Sequence, residues 1–156
     1  MATTATTTTT SDSIHKQITL RATPARVWRA LSDAREFSVW FGAEMRGEFV
    51  PGQMARGAAK FKGQELPFEI LIERLEPERL MAFRWHPFAI DPSVDYSHEP
   101  MTLVEIRLEP APEGTQLTIT ESGFDQIPAA RRARAFEMNT GGWAQQAENI
   151  ARHVHA

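Results

Sequence analysis

Hydrophobic positions recur along this chain with two different periods, and the switches between them mark its elements. From Ile14 to Arg21 the alternation is loose, with Ile14, Ile18 and Leu20 on one side, which predicts a strand with one wet face. Thr23-Pro24 then opens a helix. Thr23 is placed to cap it, and Pro24 suits the first helical position, where its missing N–H costs nothing. Val27, Trp28 and Leu31 form its apolar stripe. A second short helix follows, with Asp33 as its cap, Glu36 three residues on and Gly42 as its stop; Phe37, Trp40 and Phe41 make its face strongly aromatic.

From Ala43 to Gly123 the period is near two. Phe68, Ile70 and Ile72 share a face, as do Met81, Phe83 and Trp85, then Val104, Ile106 and Leu108, then Leu117 and Ile119. Glu69, Glu73, Arg84, Glu105, Arg107, Thr118 and Thr120 take the other side. Pro51-Gly52, Gly63-Gln64, Glu76-Pro77 and Glu113-Gly114 punctuate the strands. One dry and one wet face predict an antiparallel sheet. Pro87 to Pro100 breaks the rhythm with three prolines and two exposed-looking aromatics, Phe88 and Tyr96. A loop of this length in a compact domain either folds over a cavity edge or meets a second copy of the chain, a homodimer; the two aromatics favour an interface.

From about Pro128 to His153 the period becomes helical again, with Ala133, Phe136, Thr140, Trp143, Ala147, Ile150 and Val154 in one stripe. Arg131, Arg132, Arg134, Glu148 and Arg152 fall largely off it, and His153 and His155 are expected to fray into solvent. Gly141-Gly142 interrupts the stripe. Two helical glycines cost about 1 kcal/mol each against alanine, so they predict close backbone packing, a kink, or space left for something else. The sum is an α+β domain: about seven antiparallel strands covered by one long C-terminal helix, with two short helices after the first strand.

Composition adds exclusions. The chain has 156 residues, which suits one domain, and a formal net charge of -3, which points to neither nucleic acid nor an anionic membrane. It has no cysteine, which removes disulfides, thiolate metal sites and cysteine nucleophiles and fits a cytoplasmic setting. No apolar run approaches the roughly 20 residues of a membrane span. Residues 1–13 are Thr-rich, without the basic and apolar regions of a secretory signal, and read as a disordered tail before a single domain at 14–155.

The segments Thr23-Pro24-Ala25-Arg26-Val27-Trp28-Arg29-Ala30-Leu31, Phe37 through Trp40-Phe41-Gly42, Leu80 through Phe83-Arg84-Trp85, Gly114 through Glu121-Ser122-Gly123-Phe124, and Gly141-Gly142-Trp143 stand in an order that resembles the START-related, or SRPBCC, helix-grip superfamily. Within it the chain is similar to the branch of heat-shock protein 90 ATPase activator homologues. The resemblance covers about residues 14 to 153. It implies a curved sheet gripping the last helix, with a cavity between them that takes apolar molecules, and it brings no catalytic motif.

Candidate chemistry is correspondingly sparse. The five histidines have no metal-ligand spacing, and neither a phosphate-binding glycine loop nor a nucleophile elbow occurs, so no metal, cofactor or catalytic residue is expected. Glu121 continues the parity of Leu117 and Ile119 toward the concave side. It is expected to be non-catalytic, at the strand end, solvated or paired with an arginine. Trp40, Phe68, Phe83, Trp85, Phe136 and Trp143 point to one interior. Any one of them is more simply core, but the set, with Thr140 and Glu121, is the expected cavity wall. The expected function is binding of a small hydrophobic or amphipathic molecule. Alternatives are an enzyme, such as a cyclase, dehydratase or hydrolase acting on an aromatic or polyketide-like substrate, and a chaperone-interacting module.

Overall fold

Strand β1 (Ser13–Leu20) lies at one edge of the sheet, and the two short helices α1 (Pro24–Ser32) and α2 (Ala34–Phe41) carry the chain to the opposite edge. There β2 (Ala43–Arg46) begins a run of neighbours, β3 (Met54–Phe61), β4 (Gln64–Glu76), β5 (Leu80–Trp85), β6 (Thr102–Ala111) and β7 (Gly114–Ser122). Strand β7 then pairs with β1, giving the order β1-β7-β6-β5-β4-β3-β2 with every pair antiparallel. A short 3₁₀ turn (Phe124–Gln126) leads into the long helix α3 (Ala129–His155). This computed structural model describes residues 12–155, so most of the expected tail lies outside the described residues. Asp12 is already engaged: its backbone and side-chain oxygens accept the backbone N–H groups of Phe124 and Asp125.

The local signals act as their chemistry dictates. Thr23 Oγ1 accepts the N–H of Arg26, and Asp33 Oδ1 accepts those of Arg35 and Glu36, satisfying donors that a helix start leaves open. Gly42 ends α2 with φ +88°, a left-handed cap. In β4 the register slips between Ile72 and Arg74, a bulge that bends this 13-residue strand. At Gly57 a Cβ would lie 2.2 Å from the Glu44 carbonyl oxygen, so the approach of β2 to β3 admits only glycine.

The core lies between the concave sheet and the helices. Phe37, Ile70, Phe83, Ile106, Leu117 and Ile150 are fully buried in it. Each such side chain contributes about 1.5–3 kcal/mol. No helix among the described residues is long and apolar enough to cross a membrane.

The buried face of α3 differs from the expected stripe at its N-terminal end. Ala133 is exposed and Ala135 buried, while Phe136 is half-buried against Phe124 with ring centroids 5.2 Å apart. This end of α3 rests on the 3₁₀ turn rather than on the sheet, so the face that must be dry is turned. The other end is not frayed. His153 Nε2 meets Glu36 Oε1 at 2.8 Å, and His155 Nε2 accepts the N–H of Arg21.

Glu36 joins all three helices, because Arg26 and Arg29 of α1 also donate to it at 2.8 and 2.9 Å. Burial alone would push this carboxyl group up. The hydrogen bonds from His153, Arg26 and Arg29 outweigh burial and bring it from an ordinary 4.5 down to about 2. A carboxyl held low binds fewer protons in the folded chain than in the unfolded one. Its stabilisation is therefore complete above about pH 4.5 and is lost as the pH falls toward 2. Melting curves of wild type and Glu36→Gln should differ by a constant amount above pH 5 and converge below pH 4.5, in roughly that window. Parallel curves down to pH 3 would show that the three-helix junction does not depend on this charge.

The loop at 87–100 is pinned to α3. Arg131, expected off the buried face, is only 19% exposed. Its Nε and Nη2 donate to Glu99 Oε1 at 2.9 and 2.7 Å, and its Nη1 donates to the Pro87 carbonyl at 2.6 Å. The same guanidinium lies 4.8 Å from the Tyr96 ring centroid, Arg134 covers Phe88, and Phe88 meets Phe61 edge-on. The two aromatics that suggested an interface are thus half-buried within the chain.

Candidate functional site

Three neighbouring strands and the long helix converge on one carboxylate. Glu121 lies near the end of β7 and, as parity predicts, turns to the concave side. It is 0% exposed and appears in no ion pair among the described residues. The expectation of a solvated or arginine-paired group is therefore incorrect. Its partners are neutral donors instead. Trp85 Nε1 of β5 and Thr102 Oγ1 of β6 donate to Oε2 at 2.7 and 2.5 Å. Trp143 Nε1 of α3 donates to Oε1 at 2.8 Å, and Asn139 Nδ2, one turn earlier, reaches both oxygens at 3.0 and 3.2 Å.

A carboxylate offers about four lone-pair sites, and these contacts occupy them. Burying such a charge without partners would be costly, and four aligned donors offset that cost. Each donor follows from the elements. Trp85 and Thr102 are register partners across β5 and β6. Asn139 and Trp143 are four apart, so they share a helical face. Thr102 and Asn139 are the members that sequence reasoning missed. Thr102 shares the parity of Val104 and Ile106, and Asn139 the face of Trp143, so both signals were present.

With their N–H edges fixed on Glu121, the two indoles stack at 5.6 Å and present a pocket of about 90 Å³. Phe41, Trp85, Asn139, Gly142, Trp143 and Gln146 line it. Gln146 Nε2 donates to the Phe41 carbonyl at 2.8 Å across the lining, tying α3 to the end of α2.

Of the expected wall residues, Trp85 and Trp143 line this pocket and Glu121 lies directly behind them. Phe68 packs on Phe41 and on Trp85, at 5.3 and 5.9 Å, and Phe83 is core behind Trp85. Trp40 is buried with its Nε1 donating to the Ala30 carbonyl, and Phe136 is at the far end of α3. The Thr140 hydroxyl donates to the Phe136 carbonyl of its own helix. A wider groove, about 190 Å³, lies at the sheet edge among Gly42, Glu44, Ala58, Ala59, Lys60 and Glu65; it has no aromatic lining.

Gly141 and Gly142 do not serve close packing. Both are exposed, and an added Cβ at either would meet nothing within 4 Å. Gly142 borders the pocket, where it keeps the opening free of a side chain. Gly141 does not, so Gly141→Ala should stabilise the protein by about 0.5–1 kcal/mol through helix propensity alone. A rise of roughly 1–4 °C in melting temperature would register it. A fall would reveal a backbone constraint at that turn.

A curved antiparallel sheet gripping one long helix, with two short helices after the first strand, defines an SRPBCC-type helix-grip domain. The chain belongs to the family described as Activator of Hsp90 ATPase homolog 1-like protein, whose pattern matches residues 21–155. No curated protein matches it. Among solved structures it is similar to protein MLL2253 from Mesorhizobium loti, at 20% identity and TM-score 0.71, over 92% of this chain and 96% of that one. It is also similar to NE0264 from Nitrosomonas europaea, at 18% identity and TM-score 0.73, over 93% and 95% of the two chains. A third likeness, at 23% identity and TM-score 0.70, is to DynU16 of the dynemicin biosynthetic locus; it covers 93% of this chain and 48% of that one. At these identities the likeness concerns the fold alone.

Proposed function

We propose that this protein binds a small hydrophobic or amphipathic molecule in the pocket between the sheet and α3. The observation that carries the reading is the pair of stacked indoles, Trp85 and Trp143, held by a buried carboxylate so that they line an opening bordered by Asn139, Gln146 and an exposed glycine. Ligand sites are typically apolar surfaces with a few placed polar groups, and this one has that composition.

The pocket sets a size. An apolar cavity of about 150 Å³ holds benzene, so this one takes a group of about four heavy atoms unless Phe41 or Gln146 moves. Binding is better supported than proton transfer, because the lone pairs of Glu121 are already engaged. It is better supported than docking on a chaperone, because Val39, Val50 and Val94, the exposed large hydrophobics among the described residues, stand on three separate segments.

The four tryptophans, at 28, 40, 85 and 143, provide the test. In ¹H–¹⁵N spectra, titration with a short branched alcohol such as 3,3-dimethylbutan-1-ol should shift the indole N–H signals of Trp85 and Trp143. Those of Trp28 and Trp40 should stay in place. If the first two signals stay fixed up to high millimolar alcohol, the pocket does not bind apolar groups.

A further inference from the structure

We infer that the pocket prefers a small organic cation, an alkylated ammonium head on an apolar molecule, over a neutral group of the same shape. The inference rests on the ligand-binding reading of the same pocket and adds the chemical class of its occupant.

The first ground is an unbalanced charge. Glu121 is fully buried, and its hydrogen-bond partners, Trp85, Thr102, Asn139 and Trp143, are all neutral. On the same helix, Arg131 is committed to Glu99 and the Pro87 carbonyl. Neutral donors satisfy the oxygens of a carboxylate but do not cancel its field, which acts at short range in a site of low dielectric constant.

The second ground is where that field emerges. Three of the pocket's lining residues, Trp85, Asn139 and Trp143, are the ones that touch Glu121. A group in the pocket is therefore separated from the carboxylate by a single side chain.

The third ground is the lining itself. Two indoles and the Phe41 ring surround the opening, with Phe41 6.0 and 6.1 Å from Trp85 and Trp143. Aromatic faces attract cations, tryptophan most strongly. An indole whose N–H donates to a carboxylate is polarised so that its face becomes more negative, which strengthens that attraction. An alkylated ammonium suits the site further because its methyl groups need no hydrogen bonds, and the pocket offers only the amides of Asn139 and Gln146. A trimethylammonium head is close to the size that about 90 Å³ allows.

The test pairs choline with its neutral isostere, 3,3-dimethylbutan-1-ol, and reads the four indole N–H signals of the intact chain. Choline should bind about tenfold more tightly than the alcohol, with shifts at Trp85 and Trp143. Gly142→Leu, at an exposed helical position where an added Cβ meets nothing, should fold normally and abolish those shifts by filling the opening. Equal or weaker binding of choline, with the alcohol still shifting both indoles, overturns the cation preference and leaves the apolar reading standing. Fixed signals with both compounds overturn both readings. Undiminished choline binding in Gly142→Leu places the cation elsewhere and overturns the assignment to this pocket.

Discussion

Glu121→Gln is expected to cost about 3 kcal/mol, although it removes no atom from the core. The reason is the geometry of the donors. Thr102 can turn its hydroxyl to accept, and Asn139 can flip its amide. The two indole N–H groups cannot reverse, and they sit one on each oxygen, Trp143 on Oε1 and Trp85 on Oε2. Whichever way a glutamine amide is placed, its NH₂ faces one of the indoles. That indole N–H loses its acceptor, and the amide N–H pointing at it finds none either, each costing about 1–3 kcal/mol. The melting temperature should fall by roughly 6–12 °C. Glu121→Gln with unchanged stability and lost turnover of some substrate would instead make the carboxylate a catalytic group.

The parity of Leu117, Ile119 and Glu121 places the carboxylate on the concave side, and the structure agrees. What meets it there depends on the two registers that join β5, β6 and β7 and on the rotation of α3 about its axis, none of which a single strand's pattern contains. An unpaired buried carboxylate is costly, so solvent or an arginine was the reasonable expectation. Four neutral donors from β5, β6 and α3 are a tertiary solution.

The same distinction explains the other differences. The caps at Thr23 and Asp33 and the stop at Gly42 act within a few residues, and each is where the sequence puts it. Arg131 falls off the apolar stripe, and its partners, Glu99 and the Pro87 carbonyl, lie 32 and 44 residues away, beyond the reach of a local pattern. The glycines of α3 were visible as an anomaly, but periodicity cannot distinguish a tight contact from an open space. The absence of any neighbour around a Cβ at Gly142 makes that distinction.

Trp143→Ala is expected to have the largest effect, about 3–5 kcal/mol, because the indole acts both as core and as pocket wall. Its side chain is 2% exposed and packs between helix and sheet, stacked on Trp85 and edge-on to Phe41. Truncation removes that packing and takes one donor from Glu121. The new space joins the existing pocket, so water can enter and hydrate the freed oxygen, which keeps the cost within the range for a large core aromatic. Trp143→Phe separates the two contributions: it keeps most of the packing and loses only the donor, and it should cost about 1–3 kcal/mol. Chemical denaturation of both variants measures the difference directly. Binding should change in the opposite sense to stability, since Trp143→Ala enlarges the pocket and should admit apolar molecules too large for the wild type. A loss below about 1 kcal/mol in Trp143→Ala would mean that α3 is not gripped by the sheet at this turn. The pocket, the carboxylate cluster and the ligand reading would then lose their common support.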